Sequence, residues 1–210
     1  MRVIEDPAAD GETNMARDLA LLDEAIAGGG PTLRWYRWSE PTISLGYSQT
    51  DDPDIEPTLP RVRRLSGGGA IRHDDEWTYS LTMPRSHPHA VEPSRLYRLV
   101  HQAIVDSLPA GVVRFRGEPQ KDLDGAFLCF ARGDANDLLL ATGPAAGQKV
   151  VGSAQRRRRG AVLQHGSMLW RNDRGGGLAD TVDSLQGRDE GDRVRAAIRQ
   201  RIDSALRKAP

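Results

Sequence analysis

A run of three glycines, Gly67 to Gly69, lies between two segments that predict strands, Arg61–Leu65 and Trp77–Met83. Glycine has no Cβ atom, so this backbone can adopt positive φ angles and bring its N–H groups against a ligand carbonyl or phosphate. Tight turns use glycine for the same freedom. The run therefore predicts either a binding loop or a turn. It is not a P-loop, because no Lys-Ser/Thr follows, and its glycine spacing differs from that of a dinucleotide-binding loop.

The rest of the chain alternates β-branched and aromatic segments with amphipathic ones, which predicts one α+β domain over residues 1–210. Asn14 is the predicted N-cap of a first helix, Pro93 opens a second, and Val194–Leu206 form a third. We expect a mixed, largely antiparallel sheet with flanking helices on one side or at the ends. The further predicted strands lie at 33–48 (two strands around Pro41), 112–116, 138–141, 149–156 and 161–170.

Composition excludes several classes of protein. Lys plus Arg and Asp plus Glu number 29 each, and this balance argues against a sequence-blind nucleic-acid binder, which needs a positive field. One cysteine cannot form an internal disulfide, which fits a reducing compartment. The first residues are polar and acidic, unlike a signal peptide, and no apolar run approaches the roughly 20 residues that span a bilayer. We expect a cytoplasmic protein that binds neither nucleic acid nor membrane.

Two residues are candidates for catalysis. Cys129 lies among apolar residues in GAFLCFA, where it is either a small buried hydrophobe or a nucleophile. A nucleophilic cysteine needs a cation nearby to favour its thiolate. Lys149 supplies one if the segments around the two residues pair as a hairpin. Most lysines are solvated surface groups, but Lys149 enters a strand that soon meets the small residues Gly152, Ser153 and Ala154, which leave room for a ligand.

Arg156 to Arg159 are four arginines in succession. They predict either a solvated hairpin tip or a docking patch for an acidic partner, which a basic surface attracts over long range.

The five histidines include no i, i+4 pair of the metalloprotease kind, and one cysteine cannot build a structural zinc site. The sequence therefore predicts no metal site. The Gly-x-Ser-x-Gly elbow of many serine hydrolases is also missing, so the sequence does not support a hydrolase triad.

Four segments, in this order, resemble the lipoate/biotin protein ligase and octanoyltransferase superfamily: NMARDLALLDEA, PTISLGYSQ, RRLSGGGAIRHDDEWTYS and QKVVGSAQRRRRGAVLQHGSMLW. The resemblance covers residues 13–170, with 171–210 as a C-terminal tail and helix. It implies the biotin/lipoate protein ligase catalytic-domain fold, a mixed and largely antiparallel sheet, without the accessory domain of the single-chain ligases. It also implies that the glycine run lines an acyl tunnel, because backbone without Cβ atoms can lie flat against a fatty chain.

Two chemistries share that fold. The ligases use ATP to make an acyl-adenylate, whereas the transferases move an octanoyl group from an acyl carrier protein to a cysteine and then to a target lysine. HDDEWTYS, Cys129-Phe130 and GSAQRRRRGAVLQHGS resemble the cysteine-type octanoyl-[acyl-carrier-protein]:protein N-octanoyltransferases. Gly69 departs from that pattern, since the transferases commonly have arginine there and the ligases have glycine.

The resemblance to the transferases implies that Cys129 is the nucleophile and that Lys149 lowers its pKa and orients the carbonyl. It implies no cofactor, an acyl carrier protein as donor, and as acceptor a lipoyl domain of the glycine cleavage H protein or a 2-oxoacid dehydrogenase E2. The alternatives are an ATP- and Mg-dependent lipoate–protein ligase, or its catalytic subunit, and a non-catalytic acyl-binding member. The residues implied to bind substrate are Arg64, Ser66, Gly67, Gly68, Gly69, Ala70, His73, Gly152, Ser153, Ala154, His165 and Gly166.

Overall fold

The computed structural model describes residues 1–118, 133–170, 177–178 and 190–208. Its helices are α1 (Gly11–Ile26), α2 (Pro93–Val105) and α3 (Glu190–Arg207), and a 3₁₀ turn covers Pro88–Ala90. The strands are β1 (Arg2–Glu5), β2 (Thr32–Tyr36), β3 (Thr42–Leu45), β4 (Arg61–Arg63), β5 (Ile71–His73), β6 (Trp77–Met83), β7 (Val113–Phe115), β8 (Leu138–Leu140), β9 (Lys149–Arg158) and β10 (Ala161–Met168). The predicted α+β class is confirmed. None of the helices in this described part is long and apolar enough to cross a bilayer.

The strands form two sheets. Seven of them make a large sheet in the order β1-β2-β6-β10-β9-β8-β7, and β4-β3-β5 make a small one. In the large sheet β1 is parallel to β2, and the other neighbours are antiparallel. In the small sheet β3 is parallel to β4 and antiparallel to β5. The prediction of mixed, largely antiparallel sheet structure is therefore confirmed.

Helices cover both faces of the large sheet. On one face, Leu81 of β6 and Val162 of β10 belong to an apolar core that α2 and α3 complete. On the other face, Leu163 of β10 packs against Leu22 of α1. The expectation of helices on one side or at the ends is wrong for α1. Since consecutive residues of β10 are apolar and point to opposite faces, each face needs its own cover.

The glycine run connects β4 to β5, and both of these strands pair with β3 in the small sheet. The predicted strands Arg61–Leu65 and Trp77–Met83 thus lie in different sheets and do not pair across the run. The sequence did not predict β5, because its three residues are too few to show an alternating pattern.

Helix α1 begins three residues before the predicted N-cap. The Asp10 carboxylate accepts a hydrogen bond from the Thr13 backbone N–H at 2.7 Å, which caps the first turn. Asn14 is instead buried, and its amide donates to the carbonyl oxygens of Ala9 and Arg37. Asp and Asn are equally good N-caps, so residue type alone did not decide between the two positions.

Candidate active site

A narrow pocket lies between the two sheets, and an open cleft adjoins it. The volume open to the centre of a water molecule is about 20 Å³ in this inner pocket and about 390 Å³ in the outer cleft. Ser153 and Ala154 of β9 line both spaces and mark their junction. Among the other predicted residues, the inner pocket is lined by Arg64, His73, Gly152, His165 and Gly166, and the outer cleft by Gly67, Gly68, Gly69 and Lys149.

Arg64 holds the glycine run in place. Its guanidinium is buried and donates hydrogen bonds of 2.7 Å to the carbonyl oxygens of both Gly67 and Gly69. It also donates to the carbonyl oxygen of Ser44 at 2.9 Å, which ties the run to strand β3. Gly68 has a φ of +96°, a conformation that favours glycine. Arg64 thus holds the run at its first and third carbonyl oxygens.

Lys149 is the buried cation of the outer cleft. Its side chain is 3% exposed, and its Nζ lies 2.9 Å from Oδ1 of Asp137. Burial raises the pKa of Asp137, although the charge of Lys149 opposes the change. Gly152 makes room for the lysine, because a Cβ atom there would lie 2.6 Å from Lys149 Cε. The ammonium group therefore lies beside the junction of pocket and cleft, in a position to donate to a bound carbonyl oxygen.

His165 connects α1 to the loop before the glycine run. Its Nε2 is hydrogen-bonded to the Ser66 hydroxyl, and its Nδ1 lies 3.2 Å from Oδ2 of Asp18. Arg34 donates to the other oxygen of Asp18 at 2.8 Å. Burial raises the pKa of Asp18, but the bond and charge of His165 and the charge of Arg34 outweigh burial, so this pKa is lowered. The Asp18 carboxylate thus remains charged and fixes the histidine ring.

His73 belongs to a second buried network in the inner pocket. Its Nδ1 lies 2.5 Å from Oε1 of Glu76, and its Nε2 lies 2.7 Å from the Ser44 hydroxyl. The ring stacks on Trp38 with centroids 3.8 Å apart. Burial lowers the pKa of His73, although Glu76 opposes the change. Because the polar atoms of His73 and Ser44 bond to one another, this wall presents mostly carbon to the pocket.

Two predicted residues stand apart from these walls. Ser66 contacts His165 and not the pocket surface, and Ala70 packs with Ile43 and Leu45 in the core of the small sheet. Cys129 lies outside the described residues. In the part of the chain that the structure describes, no group of three or more His, Cys, Asp or Glu side chains is arranged to hold a metal ion.

The model of one protein family, the lipoyl protein ligase A/B catalytic domain, matches residues 10–205. This chain belongs to that family. Within the family it is similar to the octanoyltransferase LipM of Moorella thermoacetica, with 40% identity over 187 residues that cover 80% of this chain and 64% of the relative. The octanoyltransferase LipM of Oceanobacillus iheyensis is 36% identical, over 79% of this chain and 62% of the relative. The chain thus spans a little under two thirds of the length of these relatives.

Solved structures show the same fold. A crystal structure of lipoate-protein ligase A bound with ATP superposes with a TM-score of 0.73 at 24% identity, covering 98% of this chain and 85% of the other. A bipartite lipoate protein ligase from Thermoplasma acidophilum, from a study of the ligase and its E2 lipoyl domain, gives a TM-score of 0.63 at 22% identity and covers 98% and 83%. The expected ligase catalytic-domain fold is confirmed.

Some residues that shape this candidate site were not found from the sequence. His101 on α2 is 1% exposed and bonds to Ser153 with its Nε2. Asp137 forms an ion pair with Lys149, and Asp18 contacts Nδ1 of His165. Asp18 had a signal, because it lies between Met15 and Leu22 on the buried face of an amphipathic helix, where an ionisable residue requires a partner. His101 and Asp137 had no comparable pattern.

Proposed function

We propose that this protein is an octanoyltransferase that moves an octanoyl group from an acyl carrier protein, through a thioester on Cys129, to the lysine of a lipoyl domain. The proposal is carried by the 40% identity to a relative named octanoyltransferase. It is supported by Lys149, whose ammonium lies where a narrow pocket meets an open cleft. An acyl chain in the pocket and a protein substrate over the cleft would bring the thioester carbonyl to that point.

In the first half-reaction, the Cys129 thiolate attacks the carbonyl carbon of the carrier thioester. A new C–S bond to Cys129 forms, the bond to the carrier sulfur breaks, and the carrier thiolate takes up the proton that Cys129 released. In the second, a lysine amine replaces Cys129 at the same carbon. Lys149 favours the thiolate and donates to the carbonyl oxygen as negative charge develops there. The covalent intermediate divides one transfer into two easier steps.

The inner pocket is the proposed site of the acyl chain. Its volume holds about one water molecule, so an eight-carbon chain must separate its walls. The Ser66–His165 contact joins the loop before the glycine run to β10, which lines this pocket. The hydrogen bonds within the His73 network support an apolar ligand, because they leave few polar atoms that need a partner.

We propose that the reaction requires no cofactor, because the carrier thioester already holds the energy that a ligase obtains from ATP. The second candidate function is an ATP- and Mg-dependent lipoate–protein ligase. Gly69 favours this candidate, because the transferases commonly have arginine at that position. The chain also shares its fold with a lipoate-protein ligase whose structure was solved with bound ATP. A non-catalytic acyl-binding protein is the third candidate.

The proposed partners are an acyl carrier protein as donor and a lipoyl domain, of a glycine cleavage H protein or a 2-oxoacid dehydrogenase E2, as acceptor, in the cytoplasm. Arg156 to Arg158 end β9, and Arg159 and Gly160 form the turn into β10 with positive φ angles. The Arg156 guanidinium lies 4.5 Å from the ring centroid of Tyr47, near the glycine run. This basic hairpin tip supports the docking of an acidic partner.

Mass spectrometry of the intact protein separates the three functions. With octanoyl-carrier protein and no ATP, the transferase gains one octanoyl mass that hydroxylamine removes, and Cys129→Ser loses both this adduct and turnover. A lipoyl domain added next should become octanoylated as the enzyme adduct disappears. Full activity of Cys129→Ser that depends strictly on ATP and Mg²⁺ would identify a ligase. Binding of an acyl carrier without any transfer would identify a non-catalytic member.

A further inference from the structure

Ser153, at the junction of pocket and cleft, belongs to a chain of buried hydrogen bonds. Its Oγ lies 2.7 Å from Nε2 of His101 and 2.6 Å from the hydroxyl oxygen of Tyr79. Nδ1 of His101 lies 2.5 Å from the backbone carbonyl oxygen of Asn136. At the other end, Nε2 of Gln164 donates to the Tyr79 oxygen at 2.9 Å.

The carbonyl of Asn136 fixes the direction of every bond in this chain. A carbonyl oxygen can only accept, so the ring hydrogen of His101 is on Nδ1. Burial lowers the pKa of His101 to about 4, so the ring is neutral at neutral pH and its Nε2 carries a lone pair. Ser153 must therefore donate its one hydrogen to His101, and Tyr79 must donate its own hydrogen to Ser153. The Gln164 amide completes this order, because it donates to Tyr79.

Ser153 consequently has no hydrogen to offer a substrate, and the hydrogen bonds among the described residues use only one of its two lone pairs. Gly166 allows the hydroxyl this position, since a Cβ atom at residue 166 would lie 2.3 Å from Ser153 Oγ. Lys149 on the same strand has the opposite polarity, because an ammonium group only donates. The junction thus presents an acceptor beside a donor. A thioester carbonyl needs the donor, and a nucleophile that carries N–H groups needs the acceptor.

We propose that Ser153 accepts a hydrogen bond from the amine that attacks the acyl group, with His101 and Tyr79 as its positioning residues. This rests on the proposed octanoyl transfer. In the second half-reaction a neutral lysine amine forms a C–N bond as the C–S bond to Cys129 breaks, and one proton passes from nitrogen to sulfur to restore the thiol. A bond from the other N–H to Ser153 aims the nitrogen lone pair at the carbonyl carbon. The nucleophile of the first half-reaction is a thiolate, which has no N–H, so that attack gains nothing from this bond.

The test compares the rates of the two half-reactions. Single-turnover mass spectrometry follows formation of the octanoyl-enzyme from octanoyl-carrier protein, and then its decay on addition of a lipoyl domain. For Ser153→Ala we expect the ratio of decay rate to formation rate to fall about tenfold, which is the effect of one hydrogen bond in the transition state. Ser107→Ala is the matched control. It removes a hydroxyl that donates to the Ala103 carbonyl at 2.6 Å on α2, away from the site, and should keep the wild-type ratio.

Two variants of His101 test the positioning role separately. His101→Met removes the acceptor of the Ser153 hydrogen at similar volume, and it should lower the ratio. His101→Gln offers a side-chain oxygen in its place and should recover part of the loss. Equal ratios for the two would overturn the positioning role of His101. A normal wild-type adduct together with an unchanged Ser153→Ala ratio would overturn this proposal alone, whereas a wild type that forms no octanoyl-enzyme would overturn the proposed function as well.

Discussion

The two faces of the large sheet are built from the same strands but bury different kinds of group. On β2, Leu33 and Trp35 point to the face that α2 and α3 cover, and both belong to the apolar core. Arg34 and Tyr36 point to the face that α1 covers, and both bond to the buried carboxylate of Asp18. The α2/α3 face thus buries the larger apolar core together with the His101–Ser153–Tyr79 hydrogen bonds. The α1 face buries an ionic network beside smaller apolar clusters.

This difference affects how each face contributes to the stability of the fold and to the orientation of the site residues. Burial of apolar surface stabilises the fold without requiring one direction of approach. A buried ion pair returns little net stability, because the loss of hydration offsets the attraction between the charges. What the network provides is orientation: Arg34 fixes Asp18, Asp18 fixes His165, and His165 contacts Ser66 beside the glycine run. The α1 face therefore positions His165 and the loop before the glycine run, and the α2/α3 face buries the larger apolar core.

The largest expected effect comes from breaking the ionic network at its centre. Arg34 is 1% exposed and also pairs with Asp6 at 2.6 Å. Arg34→Met should lower the free energy of unfolding by about 3–5 kcal/mol, because it leaves Asp18 buried without its cation. Leu81→Ala, on the apolar face, should cost about 2–5 kcal/mol. Urea unfolding measures both.

Activity per folded molecule distinguishes these two variants. Arg34→Met should reduce the proposed octanoyl transfer even below its unfolding transition, because Asp18, the partner of His165, is no longer fixed. Leu81→Ala should keep the transfer rate of the folded fraction. Comparable losses of activity in both variants would contradict the division between the faces. An Arg34→Met protein as stable as the wild type would show that buried Asp18 does not need this cation.

The next effect is a dependence of stability on pH that originates on the α2 side of the sheet. The pKa of His101 is about 4 in the folded protein, because of burial, against an ordinary value of 6.5. The unfolded chain therefore binds a proton between these values that the folded chain does not. Stability should be complete above about pH 6.5 and fall as the pH approaches 4, by about 3 kcal/mol in total. The charge of Lys149 contributes to the lowered pKa, and Asp134 opposes it.

His101→Gln isolates this contribution, because glutamine does not titrate. The difference in unfolding free energy between wild type and variant should shrink as the pH falls from 7.5 to 5. Burial also lowers the pKa of His73. His73 therefore contributes the same pH dependence of stability to both proteins, and this contribution cancels in the comparison. A difference that stays constant over this range would mean that His101 does not resist protonation in the folded state.

The sequence predicted the apolar elements better than the polar networks. Helical spacing identified α2 and α3, and the strand-like segments 77–83, 149–156 and 161–170 correspond to β6, β9 and β10, because these patterns are local properties of the sequence. Lys149 was singled out by the small residues that follow it, and the structure places it in the cleft. The partners Asp137 and His101 were missed, since each comes from another element and only the pairing of β8 with β9 and the packing of α2 bring them close. The small sheet was missed for the same reason.

The smallest effect is expected at the β9–β10 hairpin tip, which serves neither face. Arg157 and Arg159 are exposed there, while Arg158 pairs with Asp23 at 3.0 Å. If an acidic carrier docks on this tip, Arg157→Ser with Arg159→Ser should raise the apparent KM about two- to fivefold, which corresponds to the lower part of the range of about 0.2–1 kcal/mol for each exposed charge. The effect should fade as salt rises past 0.15 M, where the screening length is about 8 Å.

Arg199→Ser with Arg201→Ser removes the same charge from exposed positions on α3 and serves as the control. Equal KM changes for the two pairs would indicate a general effect of net charge, and no change for either would leave the tip as a solvated turn. Unchanged unfolding free energies in both pairs of variants would confirm that these tip arginines stabilise neither face of the sheet.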